Sequence, residues 1–280
     1  MMKKSAWKAN LHTHTSFCDG KNSPEEMVRS AVEKGFDVLG FSGHSYTPFD
    51  ETYCMSLENT RRYQEEVRRL AETYRDQIRI FCGIEQDIYS DQPTEPYDYV
   101  IGSVHAVYRE DGRSGRYIYV DSDLAALKEA VSELYGGDYL ALAEDYFSIV
   151  SQVVHKTGCQ IVGHFDLLTK FNEQEHLFDE SHPRYKEAVH QALSKLLQAD
   201  PIFEINTGAM ARGYRTSPYP SPSILRSIYQ AGGRITINSD SHSASSLDFG
   251  FEAAREAARS CGFSVFWTMD EHGKFAEQPL

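Results

Sequence analysis

About seven short, nearly uninterrupted apolar runs, most of them followed by a stretch with helical patterning, constrain this chain more than any other feature. They begin at Trp7 and recur at residues 36–44, 78–85, 97–105, 158–164, 201–206 and 233–238. Strands buried on both faces read as continuous apolar runs rather than as alternation, and intervening helices imply parallel pairing. The expected fold is therefore an α/β barrel. At 280 residues the chain is long enough for one such domain, expected to span residues 1–280.

The local signals between the strands agree. Ser23-Pro24-Glu25-Glu26 starts a helix well, with serine as cap, proline in the first turn and acids near the positive end of the dipole. Further helices are expected over residues 57–74, 124–134, 139–156, 183–199, 222–229 and 250–260. The pattern loosens over about 106–140, an excursion whose run 109–116 reads as a polar loop, and which is either a lid or a surface insertion. Residues 269–280 read as a polar tail.

The ligand-type residues fall in one kind of place. His12 and His14 share a strand face at its carboxyl end, and Asp19 follows past a turn. His44, Glu85, His105, His164, Asp240 and His242 each sit at or just beyond the end of another expected strand. In a barrel of parallel strands those ends meet at one mouth, where active sites are built. Imidazoles with carboxylates suit zinc, iron or manganese. The remaining histidines (His155, His176, His182, His190 and His272) lie on helices, loops or the tail and read as solvated or packing residues.

Charge and composition narrow the partners. A formal charge of −13 argues against broad nucleic-acid binding, which needs a basic surface. The N-terminus carries lysines without an apolar run, and no stretch is long and apolar enough to span a membrane. The 5 cysteines are widely spaced and form no CxxC pair, as expected of reduced thiols in the cytoplasm.

The pieces His12-Thr13-His14, Gly43-His44, Ser103-Val104-His105 and Ser239-Asp240-Ser241-His242 resemble the motifs of the PHP (polymerase and histidinol phosphatase) superfamily. Gly83-Ile84-Glu85, Gly163-His164-Phe165-Asp166, Glu204-Ile205-Asn206-Thr207 and Arg212-Gly213-Tyr214 resemble its histidinol-phosphatase branch. The resemblance implies a distorted (β/α)7 TIM-like barrel with three divalent ions (zinc, iron or manganese) at the carboxyl mouth. It assigns His12, His14, Glu85 and Asp240 to the first ion and Glu85, His105 and His164 to the second. Asp19, His44 and His242 would hold the third, with Asp19 standing where some relatives carry histidine.

The activity so implied is phosphomonoester hydrolysis, with L-histidinol phosphate of histidine biosynthesis as the expected substrate. The alternatives are a PHP phosphoesterase for a nucleotide or sugar phosphate, and a non-catalytic metal-binding module. Arg212 is the expected phosphate clamp, because its planar fork matches two oxygens, and Arg116, with Arg109 and Arg113 nearby, is a second candidate. The proton for the leaving alkoxide is expected from Asp240, His242 or water. Phe17, Asp166 and the tyrosines of the excursion are the candidates for the non-phosphate half of the substrate.

Overall fold

A computed structural model of the chain describes residues 7–110 and 115–280. The first part runs β1 (Ala9–Asn10), α1 (Pro24–Glu33), β2 (Val38–Phe41), α2 (Leu57–Thr73), β3 (Arg79–Cys82), β4 (Ile84–Asp87) and β5 (Val100–Ser103); it alternates as expected up to β3, but the run expected as one strand over 78–85 is divided at Gly83, and no helix separates β3, β4 and β5. The start of α1 is a reciprocal capping box, in which Ser23 Oγ accepts from Glu26 N and the Glu26 carboxylate accepts from Ser23 N at 2.8 Å.

The excursion differs from its expected form. Instead of a polar loop it opens on an antiparallel hairpin, β6 (Ala106–Glu110) and β7 (Gly115–Tyr119), before α3 (Leu124–Tyr135). Val107 pairs with Ile118 and both are buried, which anchors the hairpin beneath its charged residues. Arg113 lies outside the described residues. The stretch 139–156 divides into α4 (Tyr139–Val150) and α5 (Val153–Thr157). Then follow β8 (Ile161–Val162), α6 (Asn172–Glu175), α7 (Pro183–Leu196), β9 (Ile202–Asn206), α8 (Gly208–Ala211), α9 (Pro222–Gln230), β10 (Arg234–Asn238) and α10 (Phe251–Cys261). The chain end is no polar tail: β11 (Val265–Met269) pairs antiparallel with β12 (Phe275–Pro279), and Trp267, Met269 and Phe275 pack against apolar residues of the strands.

Strands β1, β2 and β3 form one parallel sheet, and β10, β9, β8, β5 and β4 form a second, in those orders. Tyr99 ties the two together. It is buried ahead of β5, and its hydroxyl lies 2.9 Å from the Phe41 carbonyl of β2. Gly83, between β3 and β4, makes room for that ring, since a Cβ there would fall 2.3 Å from Tyr99 Cζ. At the carboxyl ends, bridges Thr13–Ser241 and His44–Glu85 run between the sheets, with His14 N donating to Ser241 O at 2.8 Å and Ser45 N to Glu85 O at 2.9 Å.

Ala9, Leu11, Val38, Tyr99, Ile101, Ile161 and Ile202 make a small apolar cluster from inward-facing positions of both sheets. A larger cluster, from Met27 to Phe266, lies between the strands and the helices outside them. Among the described residues no helix is long and apolar enough to cross a membrane.

Candidate metal centre

The strand ends converge as parallel packing requires. His12, His14, Glu85 and His164 are at most 3 % exposed, and His44, His105 and Asp240 are also buried. Asp240 follows β10 at a backbone φ of 47°, a left-handed conformation that aspartate tolerates better than most residues. That turn brings its carboxylate to 3.2 Å from His14 Nε2.

Glu85 is the centre of the cluster. One oxygen, Oε2, lies 2.9 Å from His44 Nδ1, 3.3 Å from His12 Nε2 and 3.5 Å from His14 Nε2. The other, Oε1, lies 2.9 Å from His164 Nε2 and 3.3 Å from His105 Nε2. A single carboxylate thus divides the histidines into two sets. Asp19 and His242 stand farther out, 3.2 Å from one another.

Two carboxylates outside this circle, whose roles the sequence reading did not assign, orient the histidines. Glu204 Oε1 lies 2.7 Å from His12 Nδ1, and Asp87 Oδ2 lies 3.2 Å from His105 Nδ1. Each partner occupies one ring nitrogen and leaves the other facing Glu85, the arrangement that supports metal-ligating imidazoles. The signal for Glu204 was an acid inside the apolar run Ile202-Phe203-Glu204-Ile205.

Among these buried groups the neighbouring carboxylates outweigh burial and raise the pKa of His12, His44 and His105. Burial alone would raise the Glu85 pKa, but His44, His12 and His105 hold the carboxyl well below its usual range. Burial opposes ionisation of Asp240 too, and Arg212 and His12 overcome it. His14 is pushed down to about 3 by burial, with His242 and His44 adding to the effect, and so offers a neutral imidazole. His12 Nε2, His14 Nε2 and Glu85 Oε2 are buried atoms that make no hydrogen bond of good geometry, close as the imidazoles and carboxylates lie. Buried polar atoms so placed are rare in folded proteins, and imidazole nitrogens and carboxylate oxygens are the atoms that would ligate divalent ions.

Three overlapping groups have donor atoms within 4.8 Å of one another: His12, His14 and Asp240; His44, Glu85 and His105; and His14, Asp19, His44 and His242. All the residues expected as ligands therefore come to one mouth. The grouping differs from the implied allocation in that His14 and His44 each fall in two groups, while His164 meets the cluster through Glu85 alone.

A cavity of about 470 Å³ opens over the cluster. Arg212 lies in its wall, with Nη2 3.2 Å from Asp240 Oδ2 and Nη1 3.1 Å from His242 Nδ1. The short helix α8 ends immediately before it and sets its direction. Asp50, Tyr53, Tyr119, Asp121 and Lys170 also line this space, and of these only Tyr119 was among the expected candidates.

Other expected residues lie elsewhere. Arg116 is 2.6 Å from Glu133 and Arg109 2.7 Å from Asp145; neither lines the cavity. Asp166 is buried and turned to Ser221 N at 2.9 Å, and Phe17 packs edge-on to Tyr63, so neither reaches the cavity. His182 caps α7 by accepting from Arg184 N.

Parallel strands ending in this set of overlapping nitrogen and oxygen donors define a polynuclear metal site. A family model for the PHP domain matches residues 10–208, and the chain belongs to that family. It is 28 % identical to the histidinol-phosphatase of Bacillus subtilis, over 89 % of this chain and 98 % of that protein. It is 25 % identical to the histidinol-phosphatase of Lactococcus lactis, over 91 % of this chain and 92 % of that one. Among solved structures, the Lactococcus lactis histidinol phosphate phosphatase complexed with zinc, L-histidinol and phosphate superposes with a TM-score of 0.71 at 23 % identity, covering 96 % of this chain and 98 % of that one.

Proposed function

We propose that this protein is a metal-dependent phosphomonoesterase that hydrolyses L-histidinol phosphate to L-histidinol and inorganic phosphate. The observation that carries the reading is one cavity whose wall holds the metal-ligand cluster and Arg212 together with two acids and two phenols, Asp50, Asp121, Tyr53 and Tyr119. The substrate is an anion at one end and an amine and imidazole at the other. Two carboxylates favour such a cation and disfavour the anionic or neutral remainder of a nucleotide or sugar phosphate. The named relatives, alike over most of their length, support the same choice.

In this reading His12, His14, Glu85 and Asp240 hold one ion, Glu85, His105 and His164 a second, and Asp19, His44 and His242 a third. When bound, such ions supply Lewis acidity toward phosphoryl oxygens and lower the pKa of nearby water. Glu204 and Asp87 keep His12 and His105 in the tautomers that present Nε2 to the mouth. Arg212 offers its planar guanidinium to the phosphoryl oxygens, a geometry that gives two parallel charged hydrogen bonds. The proton for the leaving alkoxide is assigned to His242 or water, since Arg212 and His12 hold the Asp240 carboxyl ionised.

The same reading takes the two sheets as one distorted (β/α)7 barrel, supported by the bridges at Thr13–Ser241 and His44–Glu85. It takes residues 1–280 as a single domain with the 106–140 excursion as one wall of the cavity. A cytoplasmic location is in keeping with cysteines that are all free. Turnover of L-histidinol phosphate by metal-replete protein, abolished by a chelator and restored by zinc, iron or manganese, tests the assignment.

A further inference from the structure

Asn206 closes the run Glu204-Ile205-Asn206, yet it belongs to no metal-ligand group and does not line the cavity. It ends β9 and is wholly buried. Its backbone N–H and carbonyl are both taken by Tyr219, at 2.8 and 2.9 Å. The side-chain amide bonds in two directions: Nδ2 donates to Glu204 Oε2 at 2.9 Å, and Oδ1 accepts from Gly208 N at 2.8 Å. The partners fix which way the amide points. Glu204 Oε2 also accepts from the His164 N–H, and the Gly208 N–H can only donate.

The two directions lead to different parts of the site. Glu204 Oε1 lies 2.7 Å from His12 Nδ1, so one side of Asn206 reaches the carboxylate that orients a metal-ligand imidazole. On the other side Gly208 opens the short turn α8, where the first N–H groups have no partner within the helix. Asn206 supplies that partner. The Gly208 carbonyl in turn accepts from Arg212 N at 3.1 Å. Gly208 also packs against the guanidinium: a Cβ there would fall 2.9 Å from Arg212 Nη2 and 2.7 Å from Asp240 Oδ2. The place of Gly208 therefore sets the place of Arg212. Asn238, the register partner of Asn206 on β10, gives the contrast. It donates to Glu204 Oε1 at 2.9 Å, but its oxygen accepts from Leu11 N at 2.8 Å and so secures the end of β1 instead of α8.

We propose that Asn206 is a positioning residue for Arg212, joining the turn that carries the guanidinium to the Glu204–His12 pair. This rests on the phosphoester reading above. The amide holds the clamp at a fixed distance from the metal ligands, so that both meet one phosphoryl group. Such placement matters, since a displacement of about 1 Å caused by a change outside the reacting groups can cost about 100-fold in rate.

The test is a double-mutant cycle on metal-loaded protein, read by calorimetric titration with inorganic phosphate and by kcat/KM for L-histidinol phosphate. Wild type, Asn206→Ala, Arg212→Ala and the double variant form the cycle, and Asn238→Ala replaces Asn206→Ala in a parallel one. Asn206→Ala alone should weaken phosphate binding by about 5- to 30-fold, whereas in the Arg212→Ala background the same change should cost less than about twofold. The loss caused by Asn238→Ala should be the same size with and without Arg212, because Asn238 does not touch α8. If Asn206→Ala does not fold, Asn206→Ser replaces it. The serine hydroxyl can still accept from Gly208 N but is too short for Glu204, and its loss must likewise vanish without Arg212. An Asn206 effect of equal size in both backgrounds overturns the proposal, as does no effect at all, or a coupling to Arg212 just as strong from Asn238. A wild-type holoenzyme that neither binds phosphate nor hydrolyses any phosphate monoester overturns the functional reading and this proposal with it.

Discussion

Glu204 Oε1 lies 2.7 Å from His12 Nδ1, and both side chains are wholly buried. Glu204 is itself held by the His164 backbone N–H and by Asn206 and Asn238, each at 2.9 Å. A carboxylate so fixed keeps the proton on His12 Nδ1 and presents Nε2 to Glu85. Glu204→Ala is expected to weaken metal binding about 10- to 100-fold, with Glu204→Gln milder. Metal titration against a competing chelator checks this; equal affinity in Glu204→Ala would contradict it.

Glu85→Ala should abolish turnover and remove more than one metal equivalent, because Glu85 faces His44, His12 and His14 with one oxygen and His164 and His105 with the other. Asp19→Ala should affect one ion only, since Asp19 meets just the outer group of His14, His44 and His242. Elemental analysis of the purified variants, read beside their activity, distinguishes the two. Loss of a single equivalent from Glu85→Ala, with activity kept, argues against a bridging role.

Arg212→Ala is expected to cost about 2–4 kcal/mol of transition-state stabilisation, a fall in kcat/KM of roughly 30- to 1,000-fold. Metal content should persist, because Asp240 is also held at 3.2 Å from His14. Kinetics unchanged by the substitution would remove Arg212 from phosphate binding; Arg109 and Arg116, paired with Asp145 and Glu133, are not placed to replace it.

The residues that meet at this mouth were legible because all but Asp19 sit at or just beyond the end of an apolar run, and parallel strands bring such ends together whatever the loops do. Glu204 was legible only as an oddity, an acid within Ile202-Phe203-Glu204-Ile205 that burial would forbid without partners. Asp166 and Phe17 show the limit of sequence order. They lie beside ligands in the chain, yet Asp166 turns to Ser221 and Phe17 to Tyr63. Asp50, Asp121 and Lys170 come from loops whose position depends on tertiary contacts, such as Phe49 stacked at 3.7 Å on Tyr117 of the hairpin. No local pattern encodes that pairing. The hairpin itself was hidden because Arg109 and Arg116 gave the run a polar appearance, and Val107 and Ile118 are single buried positions, one on each strand.

Chelation should destabilise the fold as well as stop catalysis. The cluster gathers Glu85, Asp240 and several imidazoles, and a ligand that binds only the folded state stabilises it by about 2.7 kcal/mol at 100 times its Kd. Thermal unfolding of stripped and reloaded protein should give a lower midpoint for the stripped form. Coincident midpoints would mean that no ion is bound at the mouth.

The most direct measurement is kcat/KM of metal-replete protein for L-histidinol phosphate beside a nucleotide monophosphate, a sugar phosphate and phosphoserine. The cavity, whose wall holds Arg212, the metal ligands, Asp50 and Asp121, predicts a preference for L-histidinol phosphate above about tenfold, equivalent to about 1.4 kcal/mol. A smaller preference, or a better rate with another ester, would contradict the assignment.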